Sequence, residues 1–424
     1  MIFFMFAILI VFIAAGMPIA FSVGVTSFVY LALEHIPLSM VSQRMVSGVN
    51  SFTILTIPFF FLAGELMNSS GVTDKIIRLA KVMVGHIAGG LGQVNIVASV
   101  IFAGISGSAT ADTAALGSIL IPAMKKEGYD ADFSAAITAA SSVIGPIIPP
   151  SMGLVLYGVM ANQPIGRMLI AGILPGFVIA GTQMVFTYFY AKKKRYPIYP
   201  KPSLSKAGHD LKEGVPAIIM PIIIVGGIMS GIFTPTESAA VAVLYGFILG
   251  FFFYKKFDAK GVWDIISTVA LKTIRIIIII AFSSVFSWVV TRAQVPNMVL
   301  NAIMSITNNP NLIILLIIIF LLFAGLFMIP SASLVILVPI LVPVAVKLGM
   351  SPIHFGILFV FTTIIGSVTP PVGICLSLAA DIADIPFHQL VKAMIPFYIP
   401  LFIAVLLIAY IPWISLLIPK IFFG

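Results

Sequence analysis

Residues 144–153 read IGPIIPPSMG and stand inside a stretch apolar enough to sit in a bilayer. Pro146, Pro149 and Pro150 each remove a backbone donor and disturb the helical hydrogen-bond ladder, in a medium that offers no water to replace it. The spacing returns 221 residues later, in IGSVTPPVGI at 365–374. Two breaks at matching places point to two purposely broken membrane helices; a simple proline kink is the plainer alternative.

The surroundings are those of a membrane protein. Of the 424 residues 60% are hydrophobic and 9% charged, with a mean hydropathy of +1.18, against roughly 25% charged residues in a soluble domain. At about 20 apolar residues per crossing, the runs leave room for roughly ten to twelve membrane segments, incomplete ones included. The start, MIFFMFAILIVFIAAGMPIAF, has no basic residue before its apolar region and is expected as a retained first helix. The single cysteine, Cys375, excludes an internal disulfide, and five scattered histidines lack ligand spacing. A zinc or redox enzyme is therefore not expected.

The net charge of +9 collects at the ends of apolar runs. Residues 191–212, AKKKRYPIYPKPSLSKAGHDLK, hold seven Lys or Arg against one Asp, and YKKFDAKG at 254–261 is a second cluster. The positive-inside rule puts both loops in the cytoplasm, so anionic headgroups and not nucleic acid account for the charge.

The proline-rich basic loop also divides the chain into copies. An offset of 221 places Pro122 on Pro343, Gly128 on Gly349, Gly145 on Gly366 and Pro149-Pro150 on Pro370-Pro371 without a gap. Ala111 falls on Ala332, Lys126 on Lys347 and Thr110 on Ser331. Matched Pro and Gly carry the inference, since matched Ile or Leu mean little in this composition. The first copy's MKKEGYDAD (124–132) has two lysines where AVKLGMSPI (345–353) has one, which predicts inverted copies. The expected fold is all-α and polytopic, two inverted repeats with re-entrant helical hairpins and broken helices. Residues 71–89 mix Lys75, Arg78 and Lys81 with an apolar face and read as an amphipathic helix, at the membrane surface or bridging two domains.

Chemistry concentrates where apolar runs break. SGSATADTAALG, 106–117, sets Ser106, Ser108, Thr110 and Asp112 within two helical turns. Irregular backbone at membrane depth must be buried or line a cavity, and a carboxylate there is a functional hypothesis by default. Its oxygens suit a hard cation such as sodium; small-residue helix packing is the alternative. The Pro-Pro breaks add freed carbonyls at Gly145, Ile148, Gly366 and Thr369 that can ligate a cation. The half-helix starting at each break offers its positive end to an anion. Arg292 either meets a substrate carboxylate or snorkels to the interface. Glu65 and Glu237 read as capping or pairing residues, and Asp381 and Asp384 as helix-end acids or coupling groups. No nucleophile–base pair or nucleotide motif appears, so energy must come from an ion gradient or another chain.

These stretches resemble the large membrane subunit of the tripartite ATP-independent periplasmic (TRAP) transporters. The resemblance rests on TIPFFFLAGELMNSSGVTDKI (56–76), GISGSATADTAALGSILIPAMKKEGYD (104–130), GPIIPPS (145–151), GIFTPTESAAVAV (231–243) and GSVTPPVGICL (366–376), in family order over essentially the whole chain. It implies a sodium-driven importer of an organic anion in the bacterial inner membrane, with a scaffold and an elevator-type transport domain. A periplasmic substrate-binding protein and a small four-helix membrane subunit are the implied partners; without an N-terminal extension here, the small subunit is expected as a separate chain. Carried over by motif, sodium ions use Ser106, Gly145 and Ile148 in one copy and Gly325, Pro330, Gly366 and Thr369 in the other. Substrate then lies between them near Ser108, Thr110, Asp112 and Arg292, with Pro149, Pro150, Pro370 and Pro371 touching it or only shaping the backbone. The implied division is scaffold and arm at 1–90, transport half at 91–190, cytoplasmic loop at 191–213, scaffold and arm at 214–296, transport half at 297–385 and a C-terminal helix at 386–424. The sialic acid branch is the nearest in character. Two other readings stay open: a stand-alone sodium/dicarboxylate symporter of similar duplicated fold, and an intramembrane enzyme pairing Asp112 with Asp381.

Overall fold

The computed structural model describes residues 2–200 and 204–424, with backbone alone for 204–207, and the described residues contain helices and no strand. The centre of the basic loop, 201–203, lies outside the described residues. Among the described residues eight helices are long and apolar enough to cross a membrane, and shorter apolar helices accompany them. The helical state follows from the solvent: in hydrocarbon a backbone must satisfy its own polar groups, which a helix does within one segment.

The duplication is written in the helix boundaries. Adding 221 to Ala109–Lys126 gives Pro330–Lys347, and the helices Gly90–Ser106, Ala131–Ser142 and Met152–Met160 recur as Pro310–Phe327, Pro352–Ile365 and Ile374–Ala383. Contacts between copies are reciprocal. Ala109–Lys126 packs on Ile374–Ala383, as Pro330–Lys347 packs on Met152–Met160; Thr56–Ser69 packs on Pro235–Ile248, as Ala259–Arg292 packs on Ile19–Leu33. Element i touching j while j touches i is the signature of a two-fold relation.

Two departures from that symmetry have local causes. Ala259–Arg292 is one helix of 34 residues, about 51 Å at 1.5 Å per residue. The matching stretch of the first copy is split into Ser39–Val49 and Thr56–Ser69 by a short 3-10 turn. Asn50 and Ser51 stand there where the second copy has Leu271 and Lys272, and short polar side chains favour non-helical backbone. Residues 386–424, expected as one C-terminal helix, form three: Phe387–Met394, Tyr398–Tyr410 and Pro412–Phe423. Pro412 cannot continue the preceding ladder, and Ile411 before it sits at φ −119°, ψ 80°.

The amphipathic helix forms as Thr73–Val84 and buries Ile76, Leu79, Ala80 and Val84 between Gly90–Ser106 and Leu204–Met229. Lys75 and Arg78 add ion pairs across this packing, reaching Glu213 at 2.6 and 3.0 Å. Its neighbourhood gathers the basic segments at one end of the molecule. Lys194 lies 3.4 Å from Asp130, and the Lys81 ammonium sits over the Tyr199 ring. Tyr129 donates to Pro197 O at 2.9 Å, and burial pushes its phenol up to about 12, so it stays a donor through the physiological range. Glu237 completes a capping box with Thr234, and Glu65 pairs with Lys272 at 2.5 Å, as their placement beside apolar runs implies.

Each copy makes five net crossings when a hairpin counts as none: Ile2–Ala14, Ile19–Leu33, the segment ending at Ser69, the broken helix ending at Met160 and Ile173–Lys194 in the first. An odd number inverts the second copy. Lys126 and Lys347, equivalent and both exposed, should therefore lie on opposite faces. In a Cys375→Ser background, Lys126→Cys is expected to react with an impermeant maleimide only from the cytoplasmic side, and Lys347→Cys only from outside. Labelling of both from one side contradicts inversion.

Candidate functional site

Each copy presses a hairpin against a break, and backbone touches backbone at the contact. Gly107 closes the first hairpin helix at φ +59°, and a Cβ on it would fall 2.1 Å from Pro150 O. A Cβ on Gly145 would lie 3.4 Å from Ser108 O. In the second copy a Cβ on Gly366 would fall 2.0 Å from Gly325 O, and one on Gly325 would lie 3.0 Å from Thr363 O. Only glycine permits such approach. The Pro149-Pro150 and Pro370-Pro371 peptides are both cis.

Backbone accounting then shows what the breaks leave open. Every residue from 141 to 150 is buried. Ser151 donates its hydroxyl to Pro146 O and receives Leu154 N at 3.1 Å, capping the resumed helix. Gly145 O and Ile148 O, two expected cation ligands, accept no hydrogen bond among the described residues. A buried carbonyl without a partner is costly, so these oxygens fit an electropositive guest. The second break closes more of its own carbonyls. Thr369 N and Oγ1 donate to Gly366 O at 3.2 Å and Ile365 O at 2.7 Å, Ser367 Oγ to Ile364 O at 2.6 Å, and Tyr398 OH to Val368 O at 2.9 Å. Gly325 O accepts no hydrogen bond among the described residues. Pro371 and Val372 are exposed where Pro150 and Ser151 are buried, so one break is sealed and the other half open.

The hairpin tips differ as well. Ser106, Ser108 and Thr110 make the first polar: Ser108 caps Ala111 N at 3.4 Å and meets Thr110 Oγ1 at 3.1 Å, while Ser106 makes only contacts of 3.4–3.5 Å to Ser108. Their counterparts include Phe327 and Ile329, which are exposed. Pro330 starts the returning helix, where its missing N–H costs nothing.

Asp112 is turned away from Ser108 and Thr110. It is 1% exposed, and neither carboxylate oxygen has a hydrogen-bond partner among the described residues. The Ser99 hydroxyl beside it donates to Ser141 Oγ at 3.0 Å; Ser141 donates to Asn95 Oδ1 at 3.1 Å, and Asn95 Nδ2 to Thr138 Oγ1 at 2.6 Å. On its other side Cys375 brings in the second copy, 3.7 Å from Ser367 and next to Thr113 and Ser142. The residue equivalent to Asp112 is Ser333, also buried and unpartnered. Asn95, Ser99, Thr138 and Ser141 escaped the sequence reading, although their three- and four-residue spacing marks polar faces on apolar helices.

Arg292 is not brought to the breaks by any hydrogen bond or ion pair. Its guanidinium lies 5.4 Å from the Trp288 ring centroid at the end of the long helix. Asp381 and Asp384 are exposed, so the buried Asp112 and surface Asp381 form no carboxylate pair for an intramembrane enzyme. Among the described residues no group of His, Cys, Asp and Glu has the makings of a metal centre.

Comparison with known proteins agrees with this architecture. Residues 6–414 match the family described as "Tripartite ATP-independent periplasmic transporter, DctM component". The chain is 42% identical to the sialic acid TRAP transporter large permease protein SiaM of Vibrio cholerae, over 97% of this chain and 96% of that one. It is 34% identical to the C4-dicarboxylate TRAP transporter large permease protein DctM of Rhodobacter capsulatus, over 98% of both. Both relatives are named as permeases and not as enzymes. The solved YdaH transporter of Alcanivorax borkumensis superposes with a TM-score of 0.68 over 90% of each chain; at 15% identity that likeness concerns the fold alone.

The glycine contacts give a stability prediction. Gly366→Ala and Gly107→Ala each drive a methyl into a backbone carbonyl and should destabilise by at least ~1–3 kcal/mol. Gly181→Ala meets open space and should be neutral. Thermal unfolding of the purified variants in detergent checks the order.

Proposed function

Because this chain belongs to the DctM component family of the tripartite ATP-independent periplasmic transporters, and is thus a multi-pass inner-membrane permease for organic acids, we propose that it couples inward sodium flow to import of an organic anion. The observation that carries this reading is the pair of hairpins packed on broken helices, with Gly145 O, Ile148 O and Gly325 O left open. Sodium is a hard cation that binds such oxygens. One ion takes Ser106 Oγ with Gly145 O and Ile148 O; another takes Gly325 O, Gly366 O and Thr369 Oγ1, with Pro330 fixing the start of the hairpin's return.

Binding an ion at each contact ties a hairpin to its break and shapes the space between them. The hydroxyls of Ser108 and Thr110 and the N-terminal end of Ala109–Lys126 then offer donors and a positive dipole to a carboxylate. Pro149, Pro150, Pro370 and Pro371 hold the backbone in shape. Asp112 is the buried carboxylate beside Ser99 and Cys375 that lines the substrate side of the first hairpin. Movement of the hairpin-bearing halves, 91–190 and 297–385, against 1–90 and 214–296 carries the loaded site across as an elevator.

Energetics favour two ions. A sodium entering down a tenfold gradient and 100 mV releases about 3.7 kcal/mol, and an anion moving inward costs about 2.3 kcal/mol. One sodium therefore supports about tenfold accumulation and two about 5,000-fold. The relative named for sialic acid favours sialic acid or a related sugar acid as substrate. A small membrane subunit and a periplasmic binding protein complete the machine.

Reconstituting the chain with both partners and assaying sialic acid, other sugar acids and C4-dicarboxylates tests this reading. Uptake is expected only with an inward sodium gradient and only with the binding protein. Ser106→Ala and Thr369→Ala should each raise the sodium needed for half-maximal uptake about tenfold, the loss of ~1.4 kcal/mol of ligation. Uptake by the chain alone excludes the tripartite arrangement, and unchanged sodium dependence in both variants excludes these ligands.

A further inference from the structure

Away from both breaks lies a cavity of about 640 Å³ between Ser39–Val49, the long helix Ala259–Arg292 and the turn after Met152–Met160. Its size is that of a small-molecule site. The long helix starts beside the basic cytoplasmic segment and contributes residues 280–291, near its far end, so the cavity opens at the outer face. Its lining contains no carboxylate and a single cation, Arg44.

Arg44 lies 5.6 Å from the Trp288 ring centroid and has no ion-pair or hydrogen-bond partner among the described residues. Stacking on an aromatic face steadies a guanidinium while leaving its N–H edge free for a bidentate carboxylate. Around it, Ser47, Ser51, Thr53 and Ser287 have hydroxyls without an internal partner. Ser283 and Thr291, by contrast, donate to their own helix at 2.6 and 2.8 Å. One wall is rigidly set, since a Cβ on Gly48 would strike Ser284 Oγ at 1.9 Å. Arg292 shares Trp288 but has Glu34 in its surroundings beside Tyr30, which leaves Arg44 as the uncompensated charge.

We propose that this cavity is an outer binding site for a hydroxylated organic carboxylate, with the Arg44 guanidinium holding the carboxylate and the free hydroxyls its polar groups before the anion reaches the breaks. The proposal rests on the permease reading, and it gives the outer face a specificity filter separate from the sodium sites.

Trp288 reports on the site directly. In full-length protein carrying Trp263→Phe and Trp413→Phe, both exposed tryptophans, Trp288 is the sole indole. Its emission is titrated in sodium-free buffer with N-acetylneuraminate, gluconate and succinate, and with neutral N-acetylmannosamine as control. A saturable response to a carboxylate and none to the neutral sugar is expected; Arg44→Gln should weaken it at least tenfold, Arg44→Lys less, and Ser106→Ala not at all. No response to any anion, an equal response to the neutral sugar, or an affinity unchanged in Arg44→Gln overturns the proposal. A complex that fails to take up anion with sodium defeats the transport reading alone, since the titration needs neither sodium nor uptake.

Discussion

A backbone carbonyl buried at membrane depth must find a partner, and at the breaks several accept no hydrogen bond among the described residues. Gly145 O, Ile148 O and Gly325 O are set by prolines that donate nothing and by glycines that let two backbones meet. The hairpins, the paired breaks and the short half-helices are all arrangements that keep this irregular backbone out of lipid. A cation that completes these oxygens would couple ion binding to the closure of hairpin on break, because the ligands belong to the residues that make the contact or to their near neighbours.

Duplication supplies the frame, and divergence within it supplies the function. The two copies agree in helix boundaries and in their reciprocal contacts, yet they differ where chemistry is needed. Asp112 faces Ser333 across the two-fold relation, the polar tip of Ser106, Ser108 and Thr110 faces Phe327 and Ile329, and a sealed break faces a half-open one. The buried chain from Thr138 through Asn95 and Ser141 to Ser99 exists in the first copy only, its counterparts including Leu316 and Phe320. A carrier needs two similar walls to alternate access and dissimilar walls to hold a polar ligand in one orientation; this pair of copies provides both.

The basic end of the molecule orients the rest. Lys75, Arg78, Lys194 and the loop tied down by Tyr129 gather on one side, and the long helix carries the chain from there to the opposite face. That span separates the open carbonyls at the breaks from the Arg44 and Trp288 cavity near the far end of the long helix.

Much of this was legible in the sequence because proline and glycine act locally. Pro149-Pro150 and Pro370-Pro371 at one offset announce two broken helices wherever the chain folds, since a missing N–H does not depend on neighbours. Hydropathy marked the solvent, and Ser106 to Thr110 marked the polar tip. Direction and partnership were not legible. That Asp112 sits beside Ser99 and Cys375, that Arg292 lies over Trp288, and that Arg44 has no acid partner among the described residues all depend on which helix packs beside which. The split at Asn50 and the break before Pro412, by contrast, have local causes in short polar side chains and a proline. The sequence by itself determined where the backbone must break; the tertiary structure alone decided which side chains face the breaks, because burial and charge pairing are properties of neighbours distant along the chain.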